Sequence, residues 1–133
     1  VIYGVGTDLI EIERIAQAHA RFGDRFAQRV LGDHELQRYA ARRQRSAQRG
    51  LAYLATRFAA KEAIAKALGL GMRMPMSWRA VEIVNSPSGQ PVAIAHAELA
   101  RFLQARRLRL HVSVSDERSV AMAYAVAEVV EEE

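Results

Sequence analysis

Apolar positions recur along this chain with two periods. Across residues 51–68 (LAYLATRFAAKEAIAKAL) the spacing is helical, and Gly69 and Gly71 follow as stop signals. At about 100° per residue, Leu51, Leu54, Ala55, Phe58 and Ala65 form one apolar stripe. Glu62 falls in the middle of that stripe, and Lys66 lies one turn on, at its margin. A carboxylate turned inward must be paired, hydrogen-bonded or metal-bound, or it costs on the order of several kcal/mol. The segment is the predicted central helix, and Glu62 is its chemical question.

The other period is two. Residues 2–8 (IYGVGTD) read as a short strand with Gly4 and Gly6 on one face, where another backbone can approach closely. The strand is expected to end at Asp8, because residues 9–20 take helical spacing through Leu9, Ile12, Ile15 and Ala16. Asp8 followed by Glu11 has the form of an acidic capping box, so Asp8 reads as a helix N-cap or a catalytic carboxylate. One carboxylate has two oxygens and can serve both roles. A second short helix carrying Arg25 and Arg29 follows Gly23, and Asp33 is the expected N-cap of a helix through Leu36, Tyr39 and Ala40. Residues 80–85 and 91–95 form a hairpin about the Ser-Pro-Ser-Gly turn, with Val81, Ile83, Val92 and Ile94 inward. Residues 96–106 are an amphipathic helix, and 110–115 and 120–130 are strands. In the first of these, Leu110, Val112 and Val114 face the core, while His111, Ser113 and Ser115 face away. The pattern predicts an α+β fold: one domain spanning 1–133, an antiparallel sheet packed on a long central helix.

Composition narrows the function classes. With no cysteine there is no disulfide, thiolate metal site or thiol nucleophile, and a cytoplasmic protein is expected. No apolar run is long enough to span a bilayer, and the N-terminal residues lack a signal-peptide pattern. The net charge is +4, and three of the acids are the terminal Glu131, Glu132 and Glu133, so the remainder is more basic than the total suggests. The positive charge is mostly arginine, which suits bidentate contacts to phosphate and carboxylate. The expected partners are anionic: nucleic acid, a phosphorylated small molecule or an acidic protein. Residues 42–49 (RRQRSAQR) are basic but carry no aromatic ring to stack a base, which weakens a single-strand nucleic-acid reading.

Three segments then combine. GVGTDLIEIERI near the start, FAAKEAIAKALG in the middle and HVSVSDERSVAMA near the end resemble holo-acyl-carrier-protein synthases, the small single-domain branch of the 4′-phosphopantetheinyl transferases. The resemblance implies a homotrimer with active sites between neighbouring subunits, magnesium dependence, coenzyme A as donor and an acyl carrier protein of fatty acid biosynthesis as acceptor. It implies that Asp8 and Glu62 bind the metal, that Lys66 is the active-site lysine and that His111 is the histidine before the S-x-S pattern. Arg14, Arg21 and Arg25 match basic residues that dock the carrier protein, and Gly89-Gln90-Pro91 resembles a segment near the nucleotide. Many relatives carry a second histidine after S-x-S, where this chain has Asp116, so no role is carried over to that position.

The implied reaction moves phosphopantetheine to a serine hydroxyl and releases adenosine 3′,5′-bisphosphate. It needs neutralisation of a pyrophosphate, for which Asp8, Glu62 and a magnesium ion are the right donor types, with Lys66 as a point charge. Arg57 and Lys61, on the other flank of the helix, are expected to meet the coenzyme's 3′-phosphate or a neighbouring subunit. The serine also needs a general base, and Glu62, Asp8 through a metal-bound water, and His111 all qualify by type. A carboxylate or metal-bound water is the favoured base, with His111 as a phosphate contact. The competing reading, from another class, is a basic nucleic-acid-binding module using the arginines of the first 50 residues.

Overall fold

Helix α4 (Ala47–Leu68) runs against most of the other elements, in a computed structural model that describes residues 1–131. Glu132 and Glu133 of the acidic terminus lie outside the described residues. The helix starts earlier than the apolar spacing predicts because Ser46 caps it, its hydroxyl accepting from the Arg49 amide at 3.0 Å. It ends where Gly69 turns left-handed at φ 73°, a conformation that glycine adopts without strain. A single inward stripe does not describe it. Alanines and other buried residues occupy most of its circumference, and Leu51, Phe58, Glu62 and Lys66 lie on its least buried side. Glu62 is therefore half-buried at an opening, not turned into the core.

Strand β1 (Ile2–Glu11) leads into α1 (Ile12–Phe22), α2 (Asp24–Val30) and α3 (Asp33–Arg45), which precede α4. A 3-10 turn (Trp78–Ala80) follows, then the hairpin β2 (Val81–Asn85) and β3 (Pro91–Ala95), helix α5 (Ala97–Arg106), and strands β4 (Leu108–Asp116) and β5 (Val120–Val129). The sheet that carries α4 is antiparallel in the order β1-β5-β4, and β2-β3 form a separate ribbon. Ala121, Ala123, Ala125 and Ala127 of β5 are fully buried beneath α4. On β1 the approach is closer still. A Cβ on Gly4 would lie 2.0 Å from the Ala67 carbonyl oxygen, and one on Gly6 2.0 Å from that of Ala63. No side chain fits between strand and helix there.

Three local expectations change. β1 does not end at Asp8: Asp8, Leu9, Ile10 and Glu11 stay paired with Ala123, Met122, Ala121 and Val120, so the helix begins only at Ile12. Asp8 is thus a strand residue, and the α1 cap position is Glu11, which makes no side-chain cap bond. The cap of α3 is Gly32 in place of Asp33. Its amide donates to Glu35 Oε1 at 2.9 Å, while Glu82 of β2 accepts from the His34 and Glu35 amides at 3.0 and 3.2 Å. In β3, Val92 and Ile94 point outward at 42% and 44% exposure, because Ala93 and Ala95 are the residues registered against inward-facing Ile83 and Val81.

The second face of the three-stranded sheet is apolar and uncovered in one chain. Val5, Leu9, Met122 and Tyr124 are each 45–65% exposed there, with His111, Ser113 and Ser115 on the same face. The close contact on the first face gives a stability test. Gly6→Ala is expected to destabilise the fold by about 1–3 kcal/mol or more, since the methyl meets backbone and not a movable side chain. Urea denaturation would show a lower midpoint with an unchanged slope.

Candidate active site

The approach of α4 to β1 brings three of the expected site residues together. Asp8 projects from β1 on the face beneath α4, since it is registered with buried Ala123. Lys66, one turn beyond Glu62, donates from Nζ to the Thr7 carbonyl at 2.9 Å and to Asp8 Oδ1 at 3.4 Å. The Asp8 side chain is only 17% exposed, while Lys66 is 53% exposed and free to turn toward a ligand. Glu62 lies close enough to Asp8 for the two carboxylates to interact. Its carboxyl is held above the usual range by burial and by the Asp8 charge, with Lys66 partly offsetting both.

These donors suit a hard divalent cation. Two carboxylates converge at a half-buried opening with one lysine as countercharge, so a cation bridging them would relieve the repulsion that perturbs Glu62. Among the described residues no cluster of three or more metal-ligating side chains occurs, so these two carboxylates are the side-chain donors one chain offers there.

His111 is not part of this group. It is registered with Val126 and Val5, whereas Asp8 is registered with Ala123 and Val114, so the two residues sit on opposite faces of the sheet and on opposite edge strands. Its Nε2 meets Glu128 Oε1 at 3.0 Å, an interaction that lowers the Glu128 pKa. Gly89, at φ 88° in the hairpin turn, and Pro91, the first residue of β3, stand on the β4 side of the molecule, away from Asp8.

The other flank of α4 is divided. Arg57 is 6% exposed, stacked over Tyr53 at 4.2 Å, and donates to Thr56 Oγ1 at 3.2 Å and the Ile83 carbonyl at 3.3 Å. Its Nε is buried without a partner. With Arg42 and Arg49 it lines a cavity of about 260 Å³ that also touches Val114 and Asp116. The sequence marked 42–49 only as basic; the repetition of arginine across the α3–α4 junction was the signal for these two further residues. Lys61 cannot play the expected part. It is fully buried, and its ammonium donates to Glu35 Oε1 and the Val30 carbonyl, both at 2.6 Å. It therefore presents no charge to a coenzyme.

Arg14, Arg21 and Arg25 are exposed on α1 and α2. Arg25 and Arg29 flank an aromatic groove of about 340 Å³ between Phe22, Phe26, Phe58 and Trp78. Phe58 stacks on Trp78 at 4.7 Å and lies one turn before Glu62, so one wall of the groove is a helical turn from that carboxylate.

Residues 4–126 match the family model of the 4′-phosphopantetheinyl transferase superfamily. The chain belongs to that superfamily. It is 59% identical over 128 residues to the holo-[acyl-carrier-protein] synthase of Cupriavidus pinatubonensis, covering 96% of this chain and 91% of the relative. The fold matches the holo-[acyl-carrier-protein] synthase of Neisseria meningitidis with a TM-score of 0.88 at 37% identity, covering 96% and 99% of the two chains. It also matches the synthase of Bacillus anthracis in complex with CoA (3′,5′-ADP), with a TM-score of 0.79 at 30% identity, covering 97% and 98%. The superfamily match spans the strand that carries Asp8, the helix that carries Glu62 and Lys66, and the strand that carries His111. The α+β architecture expected from the pattern is that of these transferases.

The raised Glu62 pKa gives a pH test. Between the unfolded value and the raised folded value, the native state binds the extra proton, so stability falls as pH rises through that window. Glu62→Gln removes this penalty. In the absence of divalent cation the variant is expected to melt above the wild type at about pH 7, with the gap closing toward about pH 4. Thermal scans across that range check it.

Proposed function

We infer that this chain is a holo-[acyl-carrier-protein] synthase. It transfers the 4′-phosphopantetheine group from coenzyme A to a serine hydroxyl of an apo acyl carrier protein and releases adenosine 3′,5′-bisphosphate. The observation that carries the reading is the convergence of Asp8, Glu62 and Lys66, in a chain of this superfamily, beside an arginine-flanked groove.

Asp8 and Glu62 would hold a magnesium ion, which when bound supplies charge neutralisation at the pyrophosphate. Lys66 leaves Asp8 and the Thr7 carbonyl to meet a phosphate oxygen. Its exposed stem makes that movement easy. The serine oxygen attacks the β-phosphorus, the new P–O bond forms as the bond to the bisphosphate breaks, and the serine proton passes to a base. A carboxylate of the pair Asp8 and Glu62, or a water held between them, is placed to accept it. Arg57, with Arg42 and Arg49, lines a cavity whose positive charge suits a phosphate of the coenzyme.

In one chain, Asp8 and His111 lie on opposite faces and edges of the sheet. The reading therefore has a neighbouring copy supply His111, in a homotrimer that covers the exposed apolar face of Val5, Leu9, Met122 and Tyr124. Arg14, Arg21, Arg25 and Arg29 receive the acidic carrier protein, a carrier of fatty acid synthesis, with an apolar side chain of the carrier entering the aromatic groove. The reading is of a cytoplasmic enzyme, and no helix among the described residues is long and apolar enough to cross a membrane. The competing nucleic-acid reading gains nothing from the superfamily match, and carrier docking is the use this reading gives the same arginines.

Intact-mass analysis of an apo carrier protein tests the function. The expected result is a gain of one phosphopantetheine that requires both coenzyme A and magnesium and slows by about 100-fold or more in Asp8→Asn. Co-expressing Asp8→Asn with His111→Ala chains is expected to restore part of the activity that each lacks alone. No recovery in mixed oligomers would contradict a site shared between copies.

A further inference from the structure

The fully buried Lys61 stands next to Glu62 and does something the reaction itself does not require. Its ammonium donates to the carbonyl of Val30, the last residue of α2, and to Glu35 Oε1 in the first turn of α3. The same Glu35 oxygen accepts from the Gly32 amide at 2.9 Å, and its other oxygen accepts from the Ile83 amide of β2 at 2.8 Å. One atom of α4 thus fixes the end of α2, the start of α3 and, through Glu35, strand β2.

Stability alone does not call for this arrangement. A methionine could fill the volume, and well-packed apolar replacements of a buried ion pair are often neutral or stabilising. What the pair supplies is direction: short bonds at fixed angles that an apolar contact lacks. The element so fixed is functional under the transferase reading, on which this inference rests. Val30 itself lines the aromatic groove with Phe22, Phe26 and Phe58, and Arg25 and Arg29 rise from the same short helix. At seven residues, α2 has little internal rigidity and depends on its end contacts for position. Besides the Lys61 bond, the chain just beyond α2 is held by Arg79, which donates from Nε to the Leu31 carbonyl at 3.0 Å.

We propose that Lys61, through its paired contacts to Val30 and Glu35, is a positioning residue that sets the carrier-docking face of α2 relative to Glu62. The lysine acts on acceptor binding and not on the coenzyme. A small displacement of α2 would leave Asp8, Glu62 and Lys66 in place, because those three are fixed by the β1–α4 contact on the helix's other side.

Steady-state kinetics of Lys61→Met, with circular dichroism and thermal melting as fold controls, tests the proposal. The expected result is a folded protein whose KM for the carrier protein rises about tenfold while its KM for coenzyme A stays within about twofold. Direct titration of the carrier in the absence of coenzyme A should weaken to the same degree. If Lys61→Met does not fold, the same measurements are read on Lys61→Met/Glu35→Gln, which leaves no buried charge unpaired at this site. If that also fails, they are read on Glu35→Gln, which keeps an acceptor for the Lys61 ammonium. A folded variant with both KM values unchanged, or with both rising together, overturns the positioning role and marks the pair as structural. An absence of transfer by the wild-type protein overturns the transferase reading itself, and this proposal with it.

Discussion

Backbone-to-backbone contact between β1 and α4 is the constraint on which the molecule depends. Gly4 and Gly6 leave the first half of one face of the strand without side chains, and the carbonyls of Ala67 and Ala63 occupy the space that Cβ atoms would need. The alanines of β5 continue the same shallow surface across the sheet. With helix and strand this close, residues from each reach one another without long side chains. Asp8, two residues past Gly6, and Glu62 and Lys66, flanking the contacted turn of α4, meet at the rim of that contact. The site is a consequence of the packing, and its charges are held where the packing stops.

Burying a long helix on nearly all sides raises a second problem, because two of its buried residues are cationic. Arg57 and Lys61 both enter the protein, with different outcomes. Arg57 reaches the wall of a cavity shared with Arg42 and Arg49, stacks on Tyr53 and keeps a buried Nε–H without a partner. Lys61 is enclosed and donates to two acceptors, and Glu35 provides the compensating charge. Burial acting alone lowers the Lys61 pKa, and Glu35 raises it again in part. Two cationic residues, four positions apart on one helix, therefore divide into one that lines a surface cavity and one that joins the elements around it.

Much of this was legible in the sequence where local patterning decides the outcome. The central helix, the hairpin, the glycine face of β1 and the outward set of His111, Ser113 and Ser115 follow from periodicities that tertiary contacts reinforce. The errors lie where a partner distant in sequence decides. Helical spacing begins at Leu9, but β5 extends the strand to Glu11 and makes Asp8 a strand residue in place of a helix cap. Glu82 sits in the alternation of a strand, and nothing local says that it caps a helix 47 residues away. Lys61 and Lys66 are alike in the sequence, and only the positions of α2 and α3 make one structural and the other accessible. Motif resemblance singled out Asp8, Glu62 and Lys66, which the fold makes neighbours, while the register of the sheet separates His111 from them within one chain.

The account stands on Asp8 and Glu62 acting as one pair of ligands at the edge of the β1–α4 contact. Manganese(II) titration in the presence of coenzyme A, followed by electron paramagnetic resonance, reads that pairing directly. The account predicts stoichiometric binding by the wild-type protein and its loss in both Asp8→Asn and Glu62→Gln. Undiminished binding by either variant would contradict it.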